Sequence, residues 1–141
     1  MKKETIDAYV LDTSAWLAFI EDEDGADIVS DLLQKASAGQ IIILVSFMTF
    51  MEVYYITWQE HDATTAEVRI QLMNSLPVSR VDSTEALGIL AGQFKANYHL
   101  SVADAWIAAL AKEWSAILVH KDPEFEQIET EITVLRLPYK T

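Results

Sequence analysis

Short apolar runs that stop abruptly and pass straight into helix-period segments dominate this chain, and they restrict its architecture more than any other feature. Residues 8–11 (Ala-Tyr-Val-Leu) close at Asp12, and residues 13–20 continue without a breaker as a short helix. Residues 41–45 (Ile-Ile-Ile-Leu-Val) make the β-branched run expected of a buried strand in a parallel sheet. Between these runs Ile28, Val29, Leu32, Leu33 and Ala36 recur at helical spacing, and Gly39 follows as the C′ residue. From Phe47 the period is again helical, with Phe47, Phe50, Met51, Tyr54 and Trp58 on one stripe. A helix over 64–76 and a weak strand over 77–81 come next. Asp82 is then the expected N-cap of a helix over 83–97, with Glu85 at its N3 position. A helix over 101–114 and strands over 116–119 and 133–137 complete the pattern. Strands alternating with helices predict a single α/β domain over residues 1–141. Its expected form is a three-layer sandwich with a mostly parallel, roughly five-stranded sheet flanked by helices.

The 141 residues are 51% hydrophobic and include no Cys, which provides for a core and excludes a disulfide framework or a thiolate zinc site. Met-Lys-Lys followed by Glu4 and Asp7 lacks a signal-peptide pattern, so the expected location is cytoplasmic. Residues 41–58 are 18 in number with Glu52 as the one charge, the length of a minimal membrane span. The lone carboxylate and the acidic flank at Glu60 and Asp62 oppose that reading, and no membrane association is expected. Glu21-Asp-Glu-Asp24-Gly25 reads as a solvated acidic turn, because aligning Gly25 with the glycine of an EF-hand loop puts Ile20 at the first ligand position. With 22 Asp+Glu against 10 Lys+Arg the net charge is −12, which opposes simple nucleic-acid binding. Either Lys95, Lys112, Lys121, Arg69 and Arg80 gather around a functional groove, or any nucleic acid is held weakly and by shape.

In an open parallel sheet, ligands bind beyond the carboxyl ends of the strands. Four acids answer to that edge. Asp12 closes the first strand, Glu52 lies in the first turns of the helix after the second, Asp104 opens the helix that feeds strand 116–119, and Asp122 follows that strand. Each has a plain capping role open to it. Asp12 precedes a helix, Asp122 precedes Pro123, and Thr49-Phe-Met-Glu52 and Ser101-Val-Ala-Asp104 fit the capping box. Capping alone does not explain why all four meet at one edge. Glu52 and Asp104 also interrupt apolar segments with no Lys or Arg within one helical turn, and a buried carboxylate must be paired, protonated or metal-bound. Clustered acids raise one another's pKa, and a divalent cation relieves this most directly. All-oxygen ligands select Mg²⁺ or Mn²⁺ over zinc.

Tyr-Val-Leu-Asp12-Thr-Ser14-Ala-Trp-Leu-Ala, Glu52, Leu-Ser-Val-Ala-Asp104-Ala-Trp-Ile-Ala-Ala and Leu-Val-His-Lys-Asp122-Pro-Glu-Phe125 resemble, in order and spacing, the PIN-domain nucleases, particularly the VapC toxins of toxin–antitoxin operons. The resemblance implies a PIN-like parallel sheet with a recessed acidic groove, Mg²⁺ or Mn²⁺, and endonucleolytic cleavage of a structured RNA substrate. It also implies a cognate small antitoxin and a homodimer. Asp12, Glu52, Asp104 and Asp122 then correspond to the family's catalytic, metal-holding acids, and Ser14 to its small hydroxyl. Glu124 stands where the family often has a second Asp and keeps a carboxylate on a longer arm. His120 stands where the family commonly has Thr or Ser, and reads as structural. A haloacid-dehalogenase-type phosphatase would need a second Asp where this chain has Ser14. The competing reading is a catalytically inactive PIN-like module that binds protein or RNA without cutting.

Overall fold

Ala8–Leu11 form the central strand, β1, of the computed structural model, which describes residues 6–140. The opening residues 1–5, on which the reading of a missing leader rests, lie outside the described residues. Tyr9 stands beside Ile43 of β2 (Ile42–Ser46) on one side and Ile117 of β4 (Ile117–His120) on the other. β3 (Ser79–Val81) adds to β2 and β5 (Val134–Arg136) to β4, giving an all-parallel sheet in the order β3-β2-β1-β4-β5. Parallel neighbours need crossover connections, and the helices supply them on both faces. Side chains alternate across the strands as the pleat requires. Val10, Leu44 and Leu118 pack with α5 (Glu85–Asn97) and α6 (Val102–Glu113). Leu11, Ile43, Val45 and Val119 face α1 (Thr13–Ile20), α2 (Ala26–Ser37), α3 (Phe47–Glu60) and α4 (Ala63–Ser75). The result is the three-layer α/β sandwich read from the alternation.

Ala103, Ala105, Ala108, Ala109 and Ala111 are all buried in α6. Their small side chains let this helix lie close against the sheet, which carries Asp104 into the interior with them. Among the described residues no helix is long and apolar enough to cross a membrane, and the run of 41–58, with Glu52 as its one charge, is divided between β2 and α3.

Three local expectations need correction. Thr84, not Asp82, caps α5, accepting the Leu87 N–H at 3.1 Å, because Asp82 is drawn to the Arg80 guanidinium at 2.8 Å. Thr49 is not a cap either, since α3 starts earlier, at Ser46, whose hydroxyl accepts the Met48 N–H. The buried face of α3 is also rotated from the apolar stripe. Thr49, Phe50, Val53 and Thr57 point inward, while Met51 and Trp58 are exposed. Arg69 of α4 makes this possible by donating to the Thr57 hydroxyl at 3.2 Å.

Gly39 terminates α2 in the left-handed region as expected (φ 75°), and Gly25 starts it there (φ 99°). A Cβ on Gly39 would meet open space, whereas one on Gly25 would lie 3.0 Å from the Leu137 Cβ. Gly39→Ala should therefore cost about 1–2 kcal/mol of backbone strain alone. Gly25→Ala should cost distinctly more, read as a larger fall in the urea midpoint, and equal losses would show that Leu137 yields freely.

Candidate active site

At the carboxyl edge, the Asp12 backbone N–H still donates to Val119 O at 3.1 Å, so the first acid is anchored to the sheet. Its side chain caps α1 by accepting the Ala15 N–H at 2.8 Å, and the Ser14 hydroxyl reaches it at 2.7 Å. Ser14 Oγ in turn accepts the Lys121 N–H at 2.8 Å, tying the end of β4 to Asp12. Ser101 caps α6 by accepting the Asp104 N–H, which leaves the Asp104 carboxylate free to face the edge. Asp122 caps the 3₁₀ segment Pro123–Ile128 by accepting the Glu124 N–H at 2.9 Å. The capping roles at Asp12, Ser101 and Asp122 are thus real, and they aim the acids rather than use them up.

All six expected site residues, Asp12, Ser14, Glu52, Asp104, Asp122 and Glu124, line one cleft of about 330 Å³. Within it, Asp104, Asp122 and Glu124 each offer a carboxylate oxygen, and these atoms lie within 4.8 Å of one another. Glu52 is set apart by Thr13, whose hydroxyl donates to its carboxylate at 2.6 Å. Ser101 caps its helix as the capping box predicted, whereas Thr13 is a site residue that the sequence reading passed over. The signal for Thr13 was its place at the first turn beside Asp12, but its partner lies 39 residues away.

Burial pushes the Asp12 carboxyl up to about 8, against the Ser14 and Ala15 hydrogen bonds that lower it, with Asp104 and Asp122 adding to the rise. Asp104 is raised to about 7, first by burial and then by the charges of Asp122, Glu52 and Glu124. Burial also raises Glu52, opposed by Thr13. His120, fully buried, accepts the Asp122 N–H on Nδ1 at 3.1 Å, so Nδ1 is unprotonated and the ring fixes the turn that carries Asp122. Burial lowers its pKa accordingly.

The cations do not gather around the cleft. Arg69 pairs with Glu21, Arg80 with Asp82 and Lys112 with Glu131, and Lys95 lies on α5 away from it. Lys121, next to Asp122 in the chain, spends its ammonium on Asp24 O at 2.8 Å. Its ammonium also lies 4.0 Å from the Glu23 carboxylate, while Glu21, Asp22 and Asp24 of the acidic turn after α1 are exposed, as expected of a solvated turn.

A parallel five-stranded sheet with acids from β1, α3, α6 and the end of β4 collected at one edge defines a recognisable class. Residues 9–131 match the PIN domain, and the chain belongs to the PIN-domain family. Its fold is that of VapC structures. VapBC2 from Rickettsia felis, bound to a DNA fragment from its promoter, superposes with a TM-score of 0.74 at 16% identity, covering 93% of this chain and 99% of that one. DNA-bound VapBC from Salmonella typhimurium gives 0.73 at 19% identity, covering 94% and 98%. VapC20 of Mycobacterium tuberculosis, a sarcin–ricin loop cleaving toxin, gives 0.67 at 17% identity, covering 84% and 93%. No curated protein matches the chain by sequence.

The raised carboxyls make a pH prediction. Folded Asp12 and Asp104 retain protons up to about 8 and about 7, whereas the unfolded chain releases them near 3.8. The folded state therefore binds more protons across this window, and the stabilisation is present below about pH 4 and lost as pH rises through 7 to 8. In chelator, the melting temperature should fall between about pH 5 and 8, and Asp104→Asn should flatten that fall. A wild-type slope no steeper than that of Asp104→Asn would mean that the fold does not raise the Asp104 pKa.

Proposed function

We propose that this chain is a divalent-metal-dependent endoribonuclease that cuts structured RNA, working in the cytoplasm as the toxin of a toxin–antitoxin pair. The observation that carries the proposal is the convergence of Asp104, Asp122 and Glu124 within 4.8 Å beside a buried Asp12, with no cationic side chain among the described residues spent on them. VapC20, a sarcin–ricin loop cleaving toxin with this fold, supports the reaction, and the VapBC complexes support the partner.

Asp12, Glu52, Asp104 and Asp122 are the residues we assign to catalysis and to holding Mg²⁺ or Mn²⁺. The donors are all hard oxygens, which fit these ions better than zinc. When bound, such an ion supplies Lewis-acid activation of water and neutralises charge on the phosphoryl oxygens. The protein's part is positioning. Ser14 and the Ala15 N–H fix the Asp12 rotamer, Thr13 steadies Glu52, Ser101 sets the start of α6, and the His120 ring holds the backbone before Asp122. Glu124 is the supporting carboxylate. The antitoxin would cover the cleft with a basic side chain set against these acids. Exposed Met51, Tyr55 and Trp58 on α3 support a protein partner, the antitoxin or a second copy of the chain.

Purified protein should cut total RNA in Mg²⁺ or Mn²⁺ and not in chelator. Asn caps a helix about as well as Asp, so Asp122→Asn should keep the stability of the metal-free fold. Its cleavage rate should nonetheless fall about tenfold or more, equivalent to about 1.4 kcal/mol in the transition state, and Asp104→Asn should do the same. RNA bound but uncut at every metal concentration would instead favour an inactive PIN-like binding module.

A further inference from the structure

A second cavity, of about 350 Å³, opens beside the acidic cleft and shares Ser14, Leu17 and Asp122 with it. Tyr139, half-buried with its ring centroid 6.2 Å from that of His120, and Pro123 also line it. Lys121 and Lys140 line it as well, together with Asp122 of the acidic cleft. Both are balanced by one carboxylate. Lys140 Nζ sits 2.8 Å from Glu23 and is 73% exposed, while nearly buried Lys121 lies 4.0 Å from the same residue. An exposed ion pair of this kind is weak, so Lys140 is free to exchange Glu23 for another anion at little cost.

An RNA strand threading an acidic metal site needs cationic and aromatic contacts on either side of the cut phosphate. This cavity is the place beside the cleft that offers both. Resting on the nuclease reading, we propose that it seats the substrate nucleotide flanking the scissile phosphate, with the base against the Tyr139 ring and the adjoining phosphate on Lys140. Glu23 acts as the placeholder that the phosphate displaces. Stacking on a ring is tolerant of base identity, so the seat contributes affinity and register more than sequence choice.

The test uses the full chain and a fluorescein-labelled, mixed-sequence dodecaribonucleotide, with affinity read by anisotropy in Ca²⁺. Cleavage of total RNA in Mn²⁺ and the melting shift caused by Mn²⁺ are measured on the same preparations. Tyr139→Leu and Lys140→Glu should each weaken binding about fivefold or more, while Glu23→Gln should tighten it about twofold. The Mn²⁺ shift should be the same in all three. Lys95→Glu makes an equal charge change on α5, outside both cavities, and should do much less. Unchanged affinity in Tyr139→Leu and Lys140→Glu, in a wild type that cuts RNA, overturns the seat and leaves the nuclease intact. So does a loss in Lys95→Glu equal to that in Lys140→Glu, which would reduce the effect to net charge. Unchanged RNA affinity with weakened binding of the protein partner would pass the cavity to that partner. A wild type that neither binds nor cuts RNA removes the nuclease reading and the seat together.

Discussion

Backbone N–H groups and the hydroxyls of Thr13 and Ser14, rather than Lys or Arg side chains, hold the acids of the cleft. Asp12 and Asp122 each accept an N–H from the helical turn that follows, and the Asp104 N–H is taken by Ser101. Such bonds orient a carboxylate without neutralising it. The carboxyl edge of a parallel sheet is where the following helices begin, so caps fall together there in space although they are far apart in sequence. The fold thereby assembles mutually repelling groups at a buried edge, and burial first, with the repulsion added to it, raises the pKa values of Asp12 and Asp104. A proton or a divalent cation relieves it, and these two compete for the same oxygens.

That arrangement also explains how so acidic a chain is organised. Its arginines and several of its lysines are committed to particular carboxylates away from the cleft, as with Arg69 and Glu21 or Arg136 and Glu129. Keeping cations out of the cleft preserves its acids for a ligand. The same economy leaves few cations for a polyanion, so on the proposed nuclease reading nucleic-acid affinity would rest on a bound metal ion, on aromatic stacking and on the lysines Lys121 and Lys140.

Much of the fold was legible because the strand-to-helix transitions are abrupt. Residues 13–20 match α1, and Gly39 follows α2 at the expected position in the left-handed region. The acids were legible because they interrupt apolar runs. What remained hidden depends on partners distant in sequence. Thr13 meets Glu52 across 39 residues, and Ser14 meets the Lys121 backbone across 107. The cap of α5 passed to Thr84 because Arg80 claims Asp82, a competition that local capping preference does not encode. The buried face of α3 was misjudged for a similar reason. Arg69 satisfies Thr57 inside, and the aromatic Trp58 is left on the surface.

On the proposed function, one set of carboxylates holds protons until a divalent cation takes their place. Calorimetric titration of Mn²⁺ near pH 6.5, in buffers of different ionisation enthalpy, tests it most directly. Asp12 and Asp104, with values of about 8 and about 7, should release protons as the ion binds, and affinity should rise as the pH is brought up towards 8. Asp104→Asn should release fewer protons and bind more weakly. Mn²⁺ binding with no proton release and no dependence on pH would contradict the claim.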